Sequence, residues 1–174
     1  MKNKNKSLVV HLVATVLSAI LICLPVLAAS TNSIGATVTA QNISVVITSS
    51  GSVPYGTVVL AGSQTSQGVS ATQSAVNNGN ITAVFNIKTS IATSTGGTWT
   101  ITSATGTVDQ YIHQFATSTA SPIWRTWTTA DTYAVATSSI AVNSTTTIDL
   151  KIGVPSSISE GSTKTISVTV QATQ

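Results

Sequence analysis

The residues that could carry out chemistry are few in this 174-residue chain. Outside an apolar N-terminal run there is one histidine, His113, and no cysteine. A Ser-His-Asp hydrolase needs one nucleophile activated by the histidine and one carboxylate that orients it, and the serines are too numerous to single one out. His113 alternates with Tyr111 and Phe115 at a period of two, which is typical of a strand. We therefore interpret His113 as a structural residue and expect no catalytic site and no enzyme activity.

Metal ligands are equally sparse. A zinc site needs three or four cysteine, histidine or carboxylate ligands, and calcium needs clustered oxygen ligands. The acidic residues are spread singly along the chain: Asp109, Asp131, Asp149 and Glu160. The sequence therefore predicts no metal centre and no cofactor. The alternative is a calcium site formed by two of these carboxylates at one end of the fold.

Five aromatic residues stand out in a chain of small side chains: Trp99, Tyr111, Trp124, Trp127 and Tyr133. Exposed in a row, they would offer rings on which a sugar can stack, and buried they would be the bulky part of a core. Trp124 and Trp127 are three residues apart, so they lie on opposite faces of a regular strand. At most one of the two is expected in the core, and the other is a candidate surface aromatic for binding cell-surface glycans.

Three N-x-S/T sequons mark candidate glycosylation sites at Asn42, Asn80 and Asn143. A chain this rich in serine and threonine contains sequons by chance, and they matter only where exported proteins are glycosylated. Asn80 in a predicted turn and Asn143 in a polar loop are the better-placed acceptors.

The elements that position these residues begin after the apolar N-terminal run. Three lysines precede the run, Pro25 interrupts its end and small residues follow, an order typical of a secretory signal peptide. We predict that residues 1–28 are a signal peptide cut after Ala28, with Ala29 or Ser30 as alternatives. The mature protein is then secreted, extracellular or on the cell surface, and free of the membrane. A retained helix of about 22 residues would instead span a bilayer, as a membrane tether or a type IV pilin-like N-terminus.

The net charge of +3 belongs to the predicted signal peptide, because Lys2, Lys4 and Lys6 account for all of it. The remainder is neutral. A neutral chain gives no electrostatic footprint for binding nucleic acid, and it favours self-association over mutual repulsion.

After the run, residues 42–174 are predicted to form one domain. Apolar and polar residues alternate in eight or nine short runs separated by turn signals, and no helical period of ten or more residues occurs. This pattern predicts an all-β fold, an antiparallel β-sandwich of immunoglobulin-like or jelly-roll-like type.

Three details of this sandwich can be predicted. Residues 69–76 and 81–88 should form a hairpin, because the Asn-Gly pair between them suits a tight turn. Residues 53–60 contain a proline and a glycine, which favours an edge or bulged strand, and residues 61–68 form a polar loop. Later in the chain, alternation directs four apolar side chains between residues 147 and 154 inward, and Asp149 outward.

The first stretch after the predicted cut, residues 29–41, is predicted to be a strand attached to the domain at one end only. Its alternating apolar residues are Ile34, Ala36, Val38 and Ala40. Such a strand could pair with its own sheet, or complete the sheet of a neighbouring copy by β-strand addition. Few charges are available to protect the sheet edges, so this segment is the candidate polymerisation strand.

Four features follow the leader in the order found in exported fibre subunits of prokaryotic surfaces. They are an early strand at residues 42–48, a Gly-Thr-Val-Val-Leu element at 56–60, an Asn-Asn-Gly-Asn turn at 77–80 and a terminal strand at 165–172. In these features the chain resembles the TasA/camelysin-type biofilm matrix fibres and the related archaeal bundling pili. The resemblance implies that an N-terminal strand inserts into the next subunit, and residues 29–41 would be its counterpart. The name camelysin implies a protease, for which this sequence has no cluster of metal ligands.

Two hypotheses for function follow. In the first, the protein is a structural subunit of an extracellular filament or cell-surface coat, a homopolymer joined by donor-strand exchange through residues 29–41. In the second, it is a monomeric adhesion or carbohydrate-binding module that recognises sugars through Trp124 or Trp127.

Overall fold

The computed structural model of the chain describes residues 36–104 and 106–174. The predicted signal peptide, residues 1–28, and Ile34 of the candidate polymerisation strand lie outside the described residues. In the part that is described, no helix is long and apolar enough to cross a membrane. The described residues adopt the all-β fold that the alternating pattern predicts.

Eleven strands and one 3-10 turn make up the described fold. In chain order the strands are β1 (Val45–Ile47), β2 (Ser63–Thr65), β3 (Gln73–Asn77), β4 (Ala83–Thr89), β5 (Ala92–Thr93), β6 (Thr98–Ile101), β7 (Gln110–Ala116), β8 (Arg125–Thr126), β9 (Ala134–Ile140), β10 (Thr145–Gly153) and β11 (Val168–Thr173). The 3-10 turn, Gln67–Val69, follows β2. There are more strands than the eight or nine predicted because β2, β5 and β8 are fragments of two or three residues.

These strands form two sheets. The larger sheet has the order β1-β3-β10-β7-β6-β5, with β2 paired to the second half of β10 and β8 paired to β7. The smaller sheet has the order β11-β4-β9. The pairing is antiparallel, as predicted, except for a short parallel pair between β6 and β7. The two-sheet sandwich is therefore confirmed.

The core lies between the sheets because alternate residues of the long strands face inward. In β4 the buried positions are Ala83, Phe85, Ile87 and Thr89, and the residues between them are only partly buried. In β7 Tyr111, His113 and Phe115 are buried on one face, as the period of two predicts. Sheet alternation alone is therefore enough to identify most of the core in these two strands.

The hairpin predicted around the Asn-Gly pair is wrong. β3 and β4 belong to different sheets, and the chain crosses between the sheets at this point. The buried side chain of Asn77 holds the crossing: its Nδ2 donates to Ile81 O (2.8 Å) and Ile140 O (2.9 Å), and its Oδ1 accepts from Gly79 N (3.0 Å). The turn signal is local, whereas the pairing of each strand is decided by burying its apolar face against the opposite sheet.

Two further local predictions are wrong. Residues 53–60 form no strand, and the polar loop predicted at residues 61–68 contains β2. Pro54 has no N–H to donate to a ladder, and Gly56 has a φ of +70°, a left-handed conformation that does not continue a strand.

The described part of the candidate polymerisation strand, residues 36–41, forms no strand in the single chain. Ala36, Val38 and Ala40 are all exposed, and Val38 is 95% exposed. The prediction of a strand here is therefore wrong for the isolated chain. A period of two indicates which side chains would share a face, but a strand also requires an edge with which to pair.

Candidate functional site

His113 is buried in the core, at 1% exposure. Its Nδ1 lies 2.8 Å from Thr89 Oγ1, and its Nε2 lies 3.2 Å from Tyr55 Oη. Burial lowers the pKa of His113 to about 3, because the charged imidazolium would lose its hydration there. The side chain is therefore neutral near pH 7 and links the sheets to residue 55, which agrees with the structural role that the alternation indicates.

Asp149, predicted to point outward from β10, is instead fully buried. Three neutral side chains donate hydrogen bonds to its carboxylate: Ser66 Oγ (2.9 Å), Thr72 Oγ1 (2.6 Å) and Gln67 Nε2 (2.9 Å). All three come from the segment between β2 and β3. Alternation correctly places Asp149 on the outer face of β10, opposite the apolar side chains. It does not show that a polar loop covers this outer face.

The other acidic residues lie outside this cluster, and each forms a hydrogen bond or an ion pair with a side chain close to it in space. The pairs are Asp109 with Ser159, Asp131 with Lys88 and Glu160 with Lys164. Hydrogen bonds from Ser159 hold the pKa of Asp109 below its usual value. Within residues 36–104 and 106–174, no three histidine, cysteine or acidic side chains come together as metal ligands.

The aromatic residues do not form an exposed row. Trp99, Tyr111 and Trp127 belong to the buried core. Trp127, one of the two candidate surface aromatics, is 3% exposed and its Nε1 donates to Ile87 O (3.3 Å). Trp124 is half-buried, and Lys151 Nζ lies 5.8 Å from its ring centroid. As the spacing predicts, only one of the two tryptophans is in the core. Because that residue is Trp127, its ring is not available for stacking on a sugar.

Two depressions in the described surface have volumes of about 90 and 150 Å³. The smaller includes Trp127 and Tyr133, and the larger lies beside Lys151 and Gly153. Both are smaller than the roughly 300–1,000 Å³ typical of small-molecule sites.

All three sequon asparagines are exposed. Asn80 is engaged by the chain before β1: its Nδ2 donates to Ala40 O (2.7 Å), and its Oδ1 accepts from Asn42 N (2.7 Å). A glycan on Asn80 Nδ2 would compete with the bond to Ala40. Asn143 is exposed and lies in the turn between β9 and β10, with a φ of +60°.

β11 is an edge strand of the smaller sheet, and its edge away from β4 is open in the described structure. Among the described residues, β11 pairs only with β4. Ser90 N donates to Ser167 O just before β11, which fixes the phase of the antiparallel ladder. Hydrogen-bonded pairs alternate with pairs whose N–H and C=O groups point away. The groups of Val168, Val170 and Ala172 therefore point to the open edge.

The same three residues also contribute to the core. The side chains of Val168, Val170 and Ala172 pack against the buried cluster around Phe85 and Phe115, but they are only half-buried. In the central strand β4, by contrast, the inward side chains are fully covered. The open edge of β11 thus combines unpaired backbone groups with incompletely covered apolar side chains.

A second open edge lies nearby. β1 is close to β11 but pairs with β3 of the larger sheet. Val46 and Ile47 of β1 are exposed at 41% and 38%. One side of the sandwich therefore presents two strand edges and several apolar side chains.

Residues 53–60, named the strap here, follow β1 and cover part of the core. Val53, Tyr55 and Val58 pack against the same buried clusters as Val168 and Ile166. The strap's backbone hydrogen bonds are local in the described structure, from Tyr55 N to Val53 O and from Gly62 N to Val59 O. Side-chain packing and the Tyr55–His113 hydrogen bond hold the strap in place, without a ladder of backbone bonds.

No Asp, Glu, Lys or Arg occurs between Lys6 and Lys88. β1, the strap, β2 and β3 are therefore free of charged side chains, and so is β11. Sheets of monomeric proteins protect their edges with charge, proline or a covering element. On this side of the sandwich the available protection is Pro54 and the strap.

The arrangement can support pairing with another strand. Reasoning from sequence anticipated exposed edges in general, from the scarcity of charge, but not which strand is open. Only the register of β11 against β4 identifies it, and that register depends on residues about 80 positions apart. Comparisons with known proteins add no relative, since no protein-family model, curated protein or solved structure matches the chain.

Proposed function

We propose that this protein is a structural subunit of an extracellular filament or cell-surface coat, and that its copies are joined by donor-strand exchange. The observation that carries the proposal is the uncharged side of the sandwich, where β1 and β11 both leave an edge open. Main-chain hydrogen bonds give affinity in β-strand addition, and alternate side chains give specificity. The chain has an edge that can accept a strand and a segment with the pattern of a strand.

The donor in this proposal is the segment of residues 29–41. Its described part is exposed and forms no strand in the single chain, so pairing with a neighbour breaks no strand pairing. Val38, exposed at 95%, is the largest apolar side chain in that described part. Placing it against a neighbour's core would bury most of a valine, which stabilises a contact by about 1.5–3 kcal/mol.

The test compares two adjacent substitutions in the donor segment. Val38→Lys should abolish filament formation, because it places a charge where the alternation directs a side chain into the neighbour. Thr37→Lys adds the same charge on the opposite face and should leave filaments intact. Both positions are exposed, so neither variant should alter the unfolding temperature of the monomer.

The measurement is electron microscopy and sedimentation of the purified secreted protein at high concentration. Deletion of residues 29–41 should leave only a soluble monomer. Filaments from the deletion variant, or none from the unmodified protein at any concentration, would contradict the proposed function.

A further inference from the structure

The geometry points to the open edge of β11 as the acceptor site for the polymerisation strand, residues 29–41, of a second copy of this chain, through its alternating residues between 34 and 41. This inference rests on the proposed function and names the surface at which the two copies join.

The backbone of β11 is prepared for one more strand. Val168, Val170 and Ala172 each direct an N–H and a C=O away from β4, as the ladder phase at Ser90 and Ser167 requires. Residues two apart in a strand are separated by roughly 6.6 Å, so these groups form a regular row. An incoming strand of about five residues would pair with all of them.

The side chains of donor and acceptor also match. The inward side chains of β11 are half-buried, small or β-branched, and uncharged. The donor segment offers apolar residues at the same period of two, which are Ile34, Ala36, Val38 and Ala40. Once paired, these residues would lie beside Val168 and Val170 and complete the cover over the Phe85 cluster.

The strap is the part of the cover that can move to make room. Its Val53 and Tyr55 pack against the same cluster as Val168 and Val170. Moving it breaks no ladder in the described structure, since its backbone bonds are local. The main polar contact to be given up is that between Tyr55 Oη and His113 Nε2, which is 3.2 Å long.

The opposite edge of the same sheet is better protected. β9 pairs with β4 through a register that shifts twice, and such irregularities bend a strand and interrupt a flat edge. A charged side chain also lies against it, because Arg125 Nη1 donates to Ala136 O (3.4 Å). These features oppose strand addition at β9 and favour β11.

A pair of variants at one position tests the acceptor. Val170→Pro removes an N–H that points to the open edge, and proline is tolerated on an edge strand when its nitrogen faces outward. It should reduce the mass of filaments at least tenfold. Val170→Ala removes more of the side chain but keeps the N–H, and it should assemble to within about twofold of the unmodified protein. Filaments formed equally well by Val170→Pro would overturn the assignment.

Hydrogen exchange provides a second measurement that needs no substitution and does not depend on the folding of a variant. In the monomer, the amides of Thr169 and Gln171 should be protected by β4, and those of Val168 and Val170 should exchange fast. In filaments, the amides of Val168 and Val170 should exchange at least 100-fold more slowly.

The two proposals fail in different ways. If the unmodified protein forms no filaments, the proposed function is wrong. If filaments form but Val168 and Val170 still exchange as in the monomer, strand exchange at β11 is wrong while the filament function stands.

Discussion

Asp149 is a buried carboxylate satisfied by three neutral donors. Ser66 Oγ also accepts a hydrogen bond from Leu150 N (3.0 Å), so the carboxylate, the serine and the β10 backbone form one network. In a network of this kind, removing the acceptor leaves several buried donors without a partner, and each costs about 1–3 kcal/mol. The segment between β2 and β3 is therefore fixed onto β10 through a single acidic side chain.

Replacing Asp149 should be costly for this reason. We expect Asp149→Ala to lower the free energy of unfolding by about 2–4 kcal/mol, measured by urea denaturation. Asp131→Asn is the control, because Asp131 is exposed and pairs with Lys88 at 3.4 Å, and a surface ion pair contributes about 0–1 kcal/mol. Asparagine also tolerates the left-handed φ of +57° at this position. Equal effects of the two substitutions would show that the buried network does not stabilise the fold.

His113 should make stability depend on pH. The unfolded chain binds a proton at this residue below about pH 6.5, whereas burial keeps the folded histidine neutral until about pH 3. Stability therefore falls as the pH falls between these values, by up to about 1.4 kcal/mol per unit. The loss between pH 7 and pH 5 should be about 2 kcal/mol.

The measurement is the slope of unfolding free energy against pH in that range, above the pH at which most carboxylates titrate. In His113→Gln the amide can still meet the hydroxyls of Thr89 and Tyr55, but it does not titrate, so the slope should vanish. A variant that keeps the full slope would place the titrating group elsewhere.

At the scale of elements, the crossing from β3 to β4 determines how the sheets are connected. Asn77 satisfies two carbonyl groups and one amide across this crossing. Asn77→Ala should therefore lower the unfolding free energy by about 2–3 kcal/mol. Asn78→Ala changes an exposed residue of the same turn and should cost less than about 0.5 kcal/mol. Thermal unfolding of both variants measures these two stability losses. Similar melting temperatures would contradict a special role for the Asn77 side chain.

The elements also show what a sequence can and cannot predict here. In β4 and β7 one face is apolar and the period of two is regular, so the buried residues follow directly. The strand pairing at the Asn77 crossing and the burial of Asp149 depend instead on which distant segment of the chain packs there. The sequence has a turn signal at the first place and an alternating pattern at the second, and both are local. At Asn77 the turn signal does not produce a hairpin, because burying the apolar faces places β3 and β4 in different sheets. At Asp149 the alternation does not leave the side chain exposed, because the segment between β2 and β3 covers it.

At the scale of the whole molecule, charge is distributed unevenly. Every charged residue of the described chain occurs from Lys88 onward. The part from Lys88 onward includes the ion pairs, Arg125 beside β9 and the uncharged strand β11, and the part before Lys88 includes β1, the strap and the proposed donor segment. The four positive and four negative charges that cancel after the predicted signal peptide all lie from Lys88 onward, and the strands and loops before Lys88 carry none of them. The edge that is open could not be assigned without the pairing of β11.

The uncharged stretch has one more consequence, which concerns proteases. Enzymes of trypsin-like specificity cut after lysine or arginine, and the chain has neither between Lys6 and Lys88. The strap and the described part of the proposed donor segment, residues 36–41, have exposed residues, yet they contain no bond that such an enzyme recognises. Residues 36–41, β1 and the strap are therefore not cleaved by this class of proteases, and a trypsin digest would return them in a single long peptide that ends at Lys88, separate from β11, which follows Lys164.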